Sequence, residues 1–340
     1  MTRRAARRGL LLGLLFAVAT AVMLRPTPSR ISDGMPQNLG DSVLITWVMH
    51  WGAHALTTDP LSYFNGNVFW PAGNTLAYSD LLLPFVPVYG LFFAVTGNWP
   101  LATNLTVLTM FGLALTSTYL LGRRVLGSTA GSVLAALAFT FTGFHLSEWG
   151  HIQLHTIGLL PLAAYFAIRF LDERSWWLAA ATGATTAATM LAAVYYGLLW
   201  FIALAVLFVG YAAAKRFRPG PRFVGGALVI GLVAVTMLGP ALYKYAQQGE
   251  ERGYEEYRGL KARDLITPAF GSYLWESRFT FEGAPALQEH GLYPGVTVAV
   301  LAVGGAVATA SRRRHRPLGD RTAPVRHPGE DASPDARLHL

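Results

Sequence analysis

The chain has 340 residues, of which 53% are apolar and only 14% charged, with a formal net charge of +8 and a mean hydropathy of +0.37. Soluble domains carry about 25% charged residues, so a pair of water-soluble domains fits this composition poorly and lipid is the expected solvent. The basic excess sits in arginine clusters beside apolar runs, which reads as membrane topology and headgroup contact, not as a nucleic-acid surface. With no cysteine there is no disulfide, thiolate metal site or cysteine nucleophile.

A bilayer core needs roughly 20 apolar residues per helix. In chain order, the runs that meet this are 9–24, 102–122, 128–145, 154–171, 176–195, 197–214, 223–243 and 291–310. The expected fold is therefore all-α, a polytopic transmembrane helical bundle of about eight spans. The first run has a second reading. Arg3, Arg4, Arg7 and Arg8, a short apolar stretch and Ala19-Thr20-Ala21 also match a cleavable signal peptide. We take it as an anchor, and an intact mass that begins after Ala21 would sink that choice. Between the first two spans lies a further apolar run, 81–96, broken by Pro84 and Pro87. Two prolines in so short a helix free backbone groups that lipid cannot satisfy.

Charge decides how that run is treated. Basic clusters stand at Arg3/Arg4/Arg7/Arg8, Arg123/Arg124, Lys215/Arg216/Arg218 and Arg312/Arg313/Arg314. If 81–96 lies in the interface or re-enters, all four become cytoplasmic, as the positive-inside rule requires. Both termini are then cytoplasmic, and the protein is expected in the plasma membrane. Two long outer segments remain, about 25–101 with interfacial helices and 244–290. Residues 1–310 form the expected membrane domain. The Pro- and charge-rich tail, 311–340, is expected to be disordered.

Almost no ionisable residue falls mid-span, which argues against an ion-coupled carrier. On this topology Asp33, Asp41, Asp59, Asp80, Glu148, His151 and His155 gather at the outer face. Carboxyls held near lipid suit general acid/base work, because desolvation raises their pKa. The short loop 147–151 pins Glu148 and His151 where two helices emerge. Each residue taken singly is also explained as a solvated loop residue. Residues 41–56 read as an interfacial helix, with Asp41 near its start, where a carboxylate favours the cap or the dipole's positive end. Trp47, His50, Trp51 and His54 share one face at i, i+3, i+4, i+7 spacing, and interfacial anchoring is the simpler role for the tryptophans. His50 and His54 have metal-ligand spacing but lack H-E-x-x-H or a third ligand. Glu250, Glu251, Glu255 and Glu256 alternate with Arg252, Arg258, Lys261 and Arg263 as on a solvated helix. Lys244, Arg252 and Arg258 are the cations to test against a lipid phosphate or an acceptor.

Several short motifs follow one another along the chain. They are Gly40-Asp41-Ser42 with Trp47 and Trp51, then Asn67-Val68-Phe69-Trp70-Pro71-Ala72-Gly73-Asn74-Thr75-Leu76-Ala77-Tyr78-Ser79-Asp80. Gly97-Asn98-Trp99-Pro100 with Asn104 follows, and then Gly122-Arg123-Arg124-Val125-Leu126-Gly127. Gly150-His151-Ile152-Gln153-Leu154 and Gly291-Leu292-Tyr293-Pro294-Gly295 complete the order. Over residues 9–310 this resembles the bacterial membrane glycosyltransferases of the GT-C class, relatives of protein O-mannosyltransferases. The resemblance implies transfer of a sugar from a polyprenyl-phosphate-linked donor to a glycan, lipid or protein acceptor at the outer membrane face. It makes an early acidic residue of the first outer loop the general base or the activator of the acceptor; Asp41 matches that position best, Asp33 lacking the surrounding pattern, with Asp80 and the Glu148/His151 loop in supporting acidic or donor-phosphate roles. His151, His155, Trp47, His50, Lys244, Arg252 and Arg258 are the expected substrate contacts. A divalent cation, Mg or Mn, is left open. Two other readings stand beside it: a lipid-linked-sugar flippase, and a non-catalytic truncated membrane subunit.

Overall fold

The structure, a computed structural model, describes residues 3–24, 30–36, 40–215 and 219–249. Among them the fold is all-helical, with no strand. In order the helices are α1 (Arg3–Met23), α2 (Asp41–Thr58), α3 (Val86–Thr96), α4 (Trp99–Leu126) and α5 (Thr129–Thr140). They continue with α6 (Gly143–Ser147), α7 (Leu159–Glu173), α8 (Trp176–Ala192), α9 (Val194–Lys215) and α10 (Pro221–Gly249). A 3₁₀ turn, Ile152–Gly158, runs directly into α7. The expected span 291–310, the tail and the acidic–basic segment from Glu250 lie outside the described residues.

Among the described residues four segments are long and apolar enough to cross a membrane: Trp99–Leu126, Ile152–Glu173, Val194–Tyr211 and Pro221–Gln248. Their exposed faces carry large aliphatics, such as Val206, Leu228, Leu232 and Val235, each about two-thirds exposed. In water that surface would drive aggregation; against acyl chains it costs nothing. Where helices meet, small residues let the backbones approach, as packing within lipid favours. A Cβ on Gly183 of α8 would sit 2.6 Å from the Ile230 carbonyl oxygen of α10. Gly226 of α10 likewise receives the ring of Phe170.

Local sequence explains where the helices stop. Asn98 caps α4, its side chain accepting from the Leu101 N–H at 2.9 Å, with Pro100 in the first turn. At the far end Gly127 takes a left-handed conformation (φ 67°) and Ser128 at once caps α5, accepting from the Gly131 N–H. The expected span 128–145 is not one helix. It stops at Thr140, Phe141 leaves helical geometry, and Thr142 caps the short α6 by accepting from the His145 N–H. Hydropathy counts apolar residues and does not register a threonine that starts a new helix. Helix α3, with 11 residues, is about 16 Å long, short of the roughly 30 Å bilayer core.

The bundle has two ends. At one, Arg124 of α4 meets Asp172 of α7, and Arg169 pairs with Glu173. At the other, the first long loop folds back over the bundle. The Leu82 and Leu83 N–H groups donate to the carbonyls of Ala192 and Leu191, at the end of α8. The Tyr245 hydroxyl donates to the Ser79 carbonyl at 2.8 Å, and Gln248 Nε2 to that of Gly73 at 2.9 Å. A core of Ile45, Met49, Phe85, Tyr89, Met110, Phe111 and Ile152 joins α2, α3, α4 and the 3₁₀ turn beneath the loop.

Candidate functional site

The head of α2 is anchored before it carries any chemistry. Asn104, buried in α4, donates through Nδ2 to the carbonyls of Ile31 and Gly34 at 2.9 and 2.8 Å. Asn98 Nδ2 donates to Ser32 O. These bonds hold the segment that leads into α2. The Ser42 hydroxyl then lies within donating reach of two carbonyls, Pro36 and Gly150. The second of these fixes the first turn of α2 against the turn after α6.

That turn brings Glu148 and His151 together. The His151 N–H donates to Glu148 O at 3.0 Å, and the Leu154 N–H to His151 O at 2.9 Å. The imidazole ends up between two carboxyl groups. Its Nδ1 is 2.6 Å from Glu148 Oε2, and its Nε2 is 2.8 Å from Asp41 Oδ2. The Glu148 contact is an ion-pair approach without in-line hydrogen-bond geometry. Exposure rises along the array, from 1% at Glu148 through 28% at His151 to 47% at Asp41. Asp41 is the first residue of α2, after an N-cap at Gly40 that makes no side-chain cap bond. Its carboxylate is turned to His151, and Oδ1 has no partner among the described residues.

The other expected site residues sit elsewhere. Asp80 Oδ1 accepts the Val194 N–H at 2.9 Å, capping α9 from across the bundle. Burial pushes its carboxyl above the usual range, and the Val194 bond pulls it partly back. None of its described contacts is with Asp41, His151 or Glu148. His155 is in the core, 2% exposed, among Phe111, Trp149 and His145. Trp47 Nε1 donates to Asn67 Oδ1 and Trp51 Nε1 to Tyr63 O, so both tryptophans clamp the first loop onto α2. The tip of that loop leaves Phe69 and Trp70 exposed. His50 bonds Tyr89 through Nδ1. Lys244 lies over the Tyr243 ring, and Arg252 and Arg258 are outside the described residues. Among the described residues no group of three or more His, Asp or Glu side chains is arranged to hold a metal ion.

Sequence reasoning placed Asp41, Glu148 and His151 at one outer face, with Glu148 and His151 together in a single short loop. It gave Ser42 and Asn104 no role, although both stand inside the quoted motifs. A short polar residue directly after a helix-leading Asp is the available signal for Ser42.

Over its described residues the chain is an all-helical membrane protein with a carboxylate–imidazole–carboxylate array at the end opposite its arginine–carboxylate pairs. No family model, no curated protein and no solved structure matches it.

Proposed function

We propose that this protein is a GT-C-like glycosyltransferase. It moves a sugar from a polyprenyl-phosphate-linked donor to an acceptor hydroxyl at the outer face of the plasma membrane, and Asp41 is the general base. The observation that carries the reading is the array itself: a half-exposed carboxylate at a helix head, steadied through His151 by a buried second carboxylate. A base needs one oxygen fixed and another open to the acceptor, and Asp41 has both.

The reaction balances as follows. The acceptor hydroxyl loses its proton to Asp41 Oδ1 as its oxygen attacks the anomeric carbon. The bond from that carbon to the donor phosphate oxygen breaks, and its electron pair leaves with the polyprenyl phosphate. The leaving group is already a stable anion, so neutralising it matters more than protonating it. His151 stays against Oδ2 throughout and positions the base, and Glu148 holds the ring. The sidedness comes from the arginine clusters: the end carrying Arg123 and Arg124 is taken as cytoplasmic.

The test is mass spectrometry of lipids that co-purify with wild-type protein and with Asp41→Asn. The reading expects a polyprenyl phosphate or its glycoside in both, with the glycoside accumulating in the variant. Absence of any such lipid from both samples overturns it in favour of a subunit or transporter role. A cysteine introduced at position 41 that resists an outer-side label, or one at 123 that accepts it, overturns the sidedness.

A further inference from the structure

Helices α2 and α3 form an antiparallel pair, and between them runs a groove of about 610 Å³. Its walls are apolar, formed by Ala53, Leu91, Phe93 and Ala94 among others, and its ring nitrogens come from His50 and His54. Thr57, which also lines it, spends its hydroxyl on the Ala53 and His54 carbonyls. Gly90 lets the two helices close at the groove floor, where a Cβ would meet that of Ala53 at 3.1 Å.

Both imidazoles are held in place. His50 bonds the Tyr89 hydroxyl through Nδ1 at 3.1 Å and stands edge-on to Phe93 at 4.6 Å, which leaves Nε2 without a partner among the described residues. His54 packs on the Trp51 ring at 5.6 Å, and Trp51 is itself fixed to the Tyr63 carbonyl. At i, i+4 spacing the rings are one turn apart, roughly 6 Å, within reach of different oxygens of one phosphate. Asp59, the next carboxylate along the chain, follows α2 and does not line the groove. Beside the groove Leu91 is 64% and Val95 78% exposed, as befits a face turned to acyl chains.

The groove does not serve Asp41. Nine residues separate Asp41 from His50, which places the two about 180° apart around α2 and about 13 Å apart along it. A sugar donor seated here would not present its reacting bond to the array. We infer that the α2–α3 groove binds one phospholipid of the surrounding bilayer, an acyl chain lying between the helices and the phosphate on His50 and His54.

Native mass spectrometry of the full-length protein in detergent tests this, with phosphatidylglycerol as probe and diacylglycerol of the same chains as control. Wild-type protein is expected to prefer phosphatidylglycerol about tenfold, the scale of one or two hydrogen bonds to a charged group. His50→Ala with His54→Ala removes that preference and leaves diacylglycerol binding unchanged. Ala94→Trp fills the groove from an exposed position and abolishes binding of both. Leu91→Trp, at a second exposed position, decides the matter if the first variant does not fold. Equal binding of the two lipids by wild-type protein overturns the inference, and so does phosphatidylglycerol binding unchanged in the histidine or groove-filling variants. Release of a polyprenyl phosphate by the groove-filling variant also overturns it, since the groove would then belong to a carrier.

Discussion

Where α4 meets α7, each carboxylate has its own arginine. Arg124 lies 2.6 Å from Asp172, and Arg169 grips both oxygens of Glu173 at 2.8 Å. At the opposite end a single imidazole stands between two carboxyl groups, 2.6 Å from Glu148 and 2.8 Å from Asp41. The first arrangement leaves no proton to move: guanidinium does not deprotonate, and the pairs are exposed and locally satisfied. The second sets two carboxyl groups against one ring and leaves the Asp41 carboxylate half-exposed. Carboxylates and cations pair one to one at the first end, whereas at the second two carboxyl groups share one ring, the arrangement on which the proposed general base rests.

The sharpest way to break this contrast is at Asp41. Asp41→Asn keeps the shape but not the basicity, and sugar transfer from a polyprenyl-phosphate donor is expected to fall by about 10²–10⁴-fold, the usual contribution of a general base. Retention of full turnover would end the assignment of Asp41 as base. Next comes His151→Ala, which leaves the Glu148 carboxyl buried without its ring. Breaking such a contact costs about 3 kcal/mol, to be read as a lower thermal-unfolding midpoint in detergent. His151→Gln, which keeps one polar contact, is expected to recover part of that stability and little of the transfer rate.

Asp80 gives a smaller effect with a definite sign. Its carboxyl is raised in the folded state, chiefly by burial. A raised group contributes fully below its unfolded value, and that contribution is lost as pH rises through its folded one. Wild-type stability is therefore expected to fall over that window. Asp80→Asn, which keeps an oxygen for the Val194 N–H, should flatten the slope; an unchanged pH–stability curve would count against a buried, strained carboxyl. The smallest effect is expected at the arginine end. Arg124→Ala should cost no more than about 1 kcal/mol, as for exposed ion pairs, and leave transfer unchanged. A large loss of transfer there would erase the distinction between the two ends.

Much of this was legible in the sequence, and the reasons for the rest are physical. Helix α2 reads as 41–56 from spacing alone and runs Asp41–Thr58. Glu148 and His151 are three apart in a short turn, so their proximity is local and visible. Their meeting with Asp41 is not, because it depends on Ser42 and Asn104 tying distant backbone to the head of α2. Asp80 looks in sequence like one more outer carboxylate. Only the tertiary fold shows that it caps α9 from 114 residues away. His155 follows His151 by four residues, yet the tightness of the 3₁₀ turn sends it inward, to the aromatic core.

The docking of the first loop also sets an order of assembly. Asp80, Leu82 and Leu83 close on residues at the α8–α9 junction, and Gly73 closes on Gln248, 175 positions later. A ribosome adding about 5–20 residues per second needs on the order of ten to thirty seconds to make that stretch. Until its end the Gly73 carbonyl of the nascent loop lacks its Gln248 partner, although Trp47, Trp51 and Asn104 already hold other parts of the first loop. A chain interrupted before α10 would carry Asp41 and His151 but only part of the scaffold around them. Helix α10 is thus the clasp that completes the cap built from the first loop.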